Sequence, residues 1–525
     1  MKNRKFATAV KGGRTVNQLK KQAGRRSSLL GAALAFGLHL IVFVSYGLLT
    51  ASCADRPENA VTADAQPDIW PDYAGVTIPE GIAPLNFGMA DDGFDRIDVV
   101  VRGTKGGEVH ANGADCAQFD EDDWHALVGQ NLGADLTVTV STKKDGRWTQ
   151  WRDFPIHVSP HKLDAWGLTY RRIAPGYEVF SHMGLYQRCL ANFEEEAIME
   201  NTHVPGMCVN CHTSHQTDPE RFVFHVRGDH GATMVQTDGR REWLKASNEQ
   251  LGGAMVYPYW HPSGSYCAFS TNQTRQGFHV VKDERIEVFD LKSDVLVYRP
   301  ATHDILTDSL LSTPDWSENT PVFSPDGRTL YFITCRQQDY PIHFKDEQYN
   351  LCCIGFDPES GRFGDHVDTL FNAAAQGKSL TWPRPSYDGR FLLFTLMDYG
   401  YFSIWHEESD QWLMDLQTME ARPLDELNSP RADSFHNWSK DSRWVVFTSR
   451  RGDGLYSHLY LASIGPDGTA TKPFLLPQRN PRRYYGESLY SFNTPDFTLR
   501  PVSFDDYAAA REIAADQRTE TTVAE

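Results

Sequence analysis

The sequence predicts a mainly all-β protein, with a small N-terminal β-sandwich, a short helical insertion and then a five- or six-bladed β-propeller. One observation is compositional: 13 Trp, 21 Tyr and 29 Phe stand beside 40 Gly and 28 Pro. Such a mixture favours strands closed by tight turns over long helices. The other is a repeat. "YPYWHPSGSYCAFSTN" from Tyr257, "TPVFSPDGRTLYFIT" from Thr320, "WPRPSYDGRFLLFTL" from Trp382 and "FHNWSKDSRWVVFTSR" from Phe435 share one plan. Each has an aromatic-rich strand, a polar turn and a second strongly β-prone strand. The turn residues Gly264, Gly327, Gly389 and Ser442 stand 63, 62 and 53 positions apart. That spacing suits a four-stranded blade with a generous loop.

The first 52 residues read differently. Nine lysines and arginines occur there with no acid, and an apolar run covers residues 29–51. The run is long enough to span a bilayer, and its basic flank is expected to stay cytoplasmic. "LLTASC" ends it, so Cys53 is a candidate lipidated N-terminus, with an uncleaved anchor as the other reading. Either places the body on the outer, periplasmic side of a membrane. Residues 53–69 are polar and aperiodic, as a tether is.

The whole chain carries 51 basic and 69 acidic residues, a net of −18. Taking nine positives from 51 leaves 42 against 69, so the body beyond residue 52 has a net charge of −27. Nucleic-acid binding needs a basic footprint, and the sequence offers none.

Residues 70–160 alternate as strands do, in "DRIDVVVRG" and "LTVTVST", and predict the β-sandwich. In 161–220, "GLYQRCLANFEEEAIMEN" has near-helical spacing of Leu185, Leu190, Phe193, Ala197 and Ile198, which predicts the helical insertion. The propeller is expected over 221–500 and a tail over 501–525. "FVFHVRGDHGATMVQTDGR" reads as the start of a further blade, and "SLYSFN" near 488 as a strand returning to complete the first.

The insertion leads into "MCVNCHTSH", residues 207–215. A zinc site needs two further ligands at matched spacing, and no second CxxC exists. A redox pair belongs near a βαβ unit, which this region lacks. The reading that suits the details is a c-type haem, with Cys208 and Cys211 as thioether links and His212 as proximal ligand, and a structural or redox cysteine pair is the other reading. His230, His225 and Met234, in that order, are the candidate distal ligands, and Arg227 and Arg240 are candidate propionate partners. Histidines also recur through the propeller, but none has a tight metal-ligand spacing. A GxSxG nucleophile elbow is absent from the sequence.

The strand, "SPDG" turn and "YFIT" strand resemble the TolB-like propeller family over about 220–480. The order of export segment, β-domain, one CxxCH and propeller resembles haem-motif proteins of that family from bacterial envelopes. The resemblance implies a membrane-anchored monohaem cytochrome exchanging electrons with an envelope redox partner. The alternatives are a TolB-like binding or scaffold protein with a structural or sensory haem, and a haem-dependent oxidoreductase or peroxidase.

Overall fold

The computed structural model describes residues 56–174, 182–245, 253–278 and 286–524. The basic region, the 29–51 segment and Cys53 lie outside these. Among the described residues no helix is long and apolar enough to cross a membrane.

The N-terminal domain follows the alternation read from sequence. In Arg96–Gly103 the side chains of Ile97, Val99 and Val101 are buried. This strand sits between Glu108–Gly113 and Asp135–Lys144 in a seven-stranded sheet. The sheet is mixed, because Val61–Thr62 and Thr77–Glu80 join it in parallel. A helix, Glu121–Gln130, covers part of it. Asp120 caps that helix by accepting from the Asp122 and Asp123 backbone N–H groups, and the helix buries Trp124, Leu127 and Val128. The region expected to form a small sandwich is thus one mixed sheet, with a helix and the two-stranded ribbon Ile69–Trp70 and Gly88–Met89 beside it.

Six four-stranded blades form the propeller. Blade 1 runs outward as Ser491–Thr498, Gly167–Ile173, Met183–Cys189 and Glu195–Glu200. Blade 2 begins at Met207–His215, blade 3 at Ala254–Trp260, blade 4 at Trp316–Phe323, blade 5 at Ser379–Pro385 and blade 6 at Asp433–Trp438. The ring closes because Ser491–Thr498, from near the C-terminus, pairs antiparallel with Gly167–Ile173. Closure satisfies edges that an open array would leave to pair with other chains. Blade 3 gains a fifth strand, Thr522–Val523, parallel to Asp304–Leu306.

The polar turns explain the repeat. In blade 4, Ser324 Oγ donates to Asp326 Oδ1 at 2.5 Å, while the Arg328 and Thr329 N–H groups donate to Asp326 Oδ1 and Ser324 Oγ. Blades 5 and 6 repeat the arrangement with Ser386 and Asp388, and with Ser439 and Asp441. Gly327 has φ +72°, and a Cβ there would lie 2.1 Å from His261 Nε2 of the preceding blade, so the turn and the blade contact both require glycine.

The segment 161–220 is not a helical insertion. It supplies three strands of blade 1 and the innermost strand of blade 2. Every residue of Met183–Cys189 is buried, so the strand has no polar face and no alternation to betray it. The near-helical spacing of Leu185, Leu190 and Phe193 instead spans the end of that strand and the turn after it.

Candidate functional site

Six non-glycine residues adopt a positive φ at one repeated position: Cys211 (52°), Tyr257 (52°), Thr320 (44°), Trp382 (58°), Phe435 (48°) and Thr494 (46°). Each sits in the innermost strand of its blade, where the register with the next strand slips. These are β-bulges, and a bulge turns its extra residue out of the sheet. The turned side chains meet at the axis. The ring of Tyr257, in blade 3, lies 5.8 Å from that of Trp382, in blade 5, and Trp382 lies 4.9 Å from Phe435.

Cys211 therefore belongs to a structural series, and this corrects the haem reading. A helical CxxCH stacks its cysteines about one turn apart, whereas three steps along an extended strand separate them by about 10 Å. Cys208 is opposite Arg227 in the ladder, and Cys211 is the bulge. His212 turns elsewhere, packing against Phe222 with Nε2 3.0 Å from Thr169 Oγ1 of blade 1. Burial pushes its imidazole down to about 4. The distal candidates do not converge on it either. His225 is buried with Nδ1 3.0 Å from Thr233 Oγ1, Met234 packs in the core between blades 1 and 2, and His230 lies on a turn with Nδ1 2.9 Å from Asp516. Arg240 starts an outer strand and is exposed. These residues do not form a porphyrin pocket, so the cytochrome reading and its haem-dependent alternatives are withdrawn.

The repeat offered the signal. Aligning Cys211 with Phe435 places His212 on His436, and both histidines are buried. Aligning Cys211 with Tyr257 places His215 on His261, and their Nε2 atoms donate to Pro262 O at 2.9 Å and to Gly327 O at 3.0 Å, each in the next blade.

A different cluster sits beside the axial bulges, across blades 3 to 5. Asp290, on Ile286–Arg299, is fully buried and accepts from Asn272 Nδ2 at 2.7 Å and Asn319 Nδ2 at 2.8 Å, while its Oδ1 has no partner. Burial, reinforced by the charge of Glu347, raises its carboxyl well above the usual range. Burial likewise raises Glu347 to about 8, against the opposing pull of Tyr340, Tyr349 and His406. Glu347 Oε1 and the hydroxyls of Tyr349 and Tyr401 are buried without hydrogen-bond partners. Tyr401 packs edge-on against Tyr257 and Tyr349 at 6.3 and 6.4 Å. His406 lies between Glu287 (3.4 Å) and Glu408 (3.3 Å). Burial alone would lower its imidazole, but these carboxylates hold it up at about 9. Sequence reasoning missed the cluster, since its members come from separate loops and strands with no common motif.

Other histidines of the propeller do not gather around it. Among the described residues no three His, Cys, Asp or Glu side chains form a metal-binding group, and His279 lies outside those residues.

No family profile matches the chain, and no curated relative matches its sequence. The solved structures that the chain matches include peptidases. Prolyl oligopeptidase B from Galerina marginata is 12% identical over 58% of this chain and 44% of its own, with a TM-score of 0.32. A puromycin-hydrolyzing peptidase from Mycobacterium tuberculosis is 14% identical over 77% and 57%, also at 0.32. The tricorn protease is 12% identical over 66% and 34%, at 0.33. The chain spans less than two thirds of each of these proteins.

Proposed function

We propose that the protein is a ligand-binding propeller whose axial site recognises an amine. The observation that carries this reading is the pair Asp290 and Glu347, two buried carboxyls that each keep an acceptor oxygen with no partner in good hydrogen-bond geometry, although the hydroxyls of Ser293, and of Tyr340 and Tyr349, stand near them. Buried polar atoms are ordinarily paired, and leaving a carboxyl oxygen unpaired costs about 1–3 kcal/mol. An ammonium group donates up to three hydrogen bonds and supplies the charge that lets such carboxyls ionise. Tyr340 and Tyr349 neighbour Glu347, Tyr257 and Tyr401 lie within reach of the Asp290 charge, and aromatic faces favour an organic cation. The acidic body favours approach of cations. The basic flank and apolar run that begin the chain support export to the outer side of a membrane.

Calorimetric titration of the exported body with pentylamine at pH 8 tests the reading. Saturable binding is expected, weakened about tenfold or more by Asp290→Asn. Absence of binding to the folded protein, or equal binding by the variant, would overturn it.

A further inference from the structure

A second ring of residues follows the axial bulges. After each bulge the register with the next strand resumes, at Thr213, Tyr259, Val322, Arg384, Asn437 and Asp496 in blades 2, 3, 4, 5, 6 and 1. The carboxylate of Asp496 is engaged by the blades on either side. Asn437 Nδ2 donates to its Oδ1 at 2.8 Å, and Thr213 Oγ1 and the Ser214 N–H each donate to its Oδ2 at 3.2 Å. Arg384 has no such partner. Only 8% exposed, it reaches from blade 5 past the short Val322 to blade 3, with Cζ 5.5 Å from the ring centroid of Tyr259 and 4.4 Å from that of Trp382. Its Nη1 donates to Pro383 O at 2.8 Å, its Nε has no partner, and among the described residues no carboxylate pairs with it. Other arginines of the propeller are engaged. Arg188 donates to Pro477 O at 2.6 Å and Gln478 Oε1 at 3.0 Å, and the half-buried Arg451 pairs with Asp433 at 2.8 Å.

A buried cation without a counter-ion is unfavourable, and burial lowers the Arg384 guanidinium to about 10. Its two aromatic contacts offset part of that cost and leave its N–H groups unused. A guanidinium carries five such donors in a planar fork matched to a carboxylate, which makes this one an anion seat. Trp382 and Phe435, with ring centroids 4.9 Å apart, offer an apolar wall beside it. Asp496, in the same ring, disfavours a second negative charge.

We infer that this ring is a binding site for a monocarboxylate with an apolar or aromatic body, its carboxylate on the fork of Arg384 and its body against Trp382. The inference uses neither Asp290 nor Glu347, and it stands whether or not the protein binds amines.

Calorimetric titration with benzoate, and with benzamide as its uncharged counterpart, decides the matter. The wild-type protein is expected to bind benzoate saturably and at least about tenfold more tightly than benzamide, the contribution of a charge-assisted pair. Inorganic phosphate, which has charge and no apolar body, is expected to bind more weakly than benzoate. Arg384→Gln is expected to bring the ratio of benzoate to benzamide affinity to about one. Arg384→Lys, which keeps the charge and loses the fork, is expected to retain only part of the preference. Thermal melts establish that each variant folds, and Arg384→Lys decides alone if the glutamine variant does not. No binding of benzoate by the wild type, a ratio of one there, or a preference unmoved in the folded variants overturns the seat. Tighter binding of phosphate than of benzoate overturns the carboxylate class.

Discussion

His406 Nε2 stands 3.4 Å from Glu287 Oε1, a contact that joins blade 5 to blade 3 past the intervening blade. Both side chains are buried, so water screens the pair poorly. His406→Gln is expected to destabilise the protein by about 3 kcal/mol at pH 7, because it removes the buried cation that faces Glu287. Urea melts measure it. The folded imidazole is held up at about 9, so its contribution is whole below the ordinary histidine range and vanishes as the pH climbs through 9. The wild-type and variant curves should converge above pH 10, and persistence of the full gap there would refute the charge-based account.

Binding of an amine should release protons. Glu347, at about 8 in the free protein, is mostly neutral at pH 7, and a cation beside it favours the ionised form. Affinity for pentylamine should therefore rise between pH 6 and 8.5. Calorimetry in two buffers of different ionisation enthalpy should count a fractional proton released at pH 7. Glu347→Gln should diminish both effects, leaving the part that Asp290 contributes.

Thr494 is a β-branched residue at φ +46°, half-buried, and its hydroxyl has no hydrogen-bond partner. That backbone region is unfavourable for a β-branched side chain and tolerable for asparagine. Thr494→Asn should raise stability by about 1 kcal/mol, read as a higher melting temperature. Asn at Phe435, where the ring packs on Trp382, should instead lose about 3 kcal/mol.

The turns of blades 3 to 6 were legible because Ser, Asp and Gly there satisfy local hydrogen bonds that recur with the fold. Strand Arg96–Gly103 was legible because one face is wet. Met183–Cys189 was not, since a strand buried on both faces carries no alternation. Cys211 and His212 misled for a related reason. Three-residue spacing signifies haem only if the backbone coils, and the bulge that Cys211 shares with Tyr257 and Phe435 shows in sequence only after the blades are aligned. Asp290, Glu347 and His406 were invisible because the packing of blades 3 to 5, not local sequence, brings them together.

Truncation before Ser491 should leave Gly167–Ile173 without its inner partner. The product is expected to be insoluble or readily cleaved by protease. Removal of residues 520–525 costs the outermost strand of blade 3 and the exposed Lys245–Glu520 ion pair, and that protein should stay folded with a modest loss in melting temperature. Equal protease resistance of the two truncations would contradict closure at Ser491–Thr498.

That closing strand also sets a schedule for biosynthesis. The partner of Gly167–Ile173 emerges from the ribosome about 320 residues later, after every other blade has been made. Until then the nascent chain carries an open hydrogen-bonding edge, and it is vulnerable to pairing with its neighbours. A holding chaperone, or export before folding, would protect this chain during that interval.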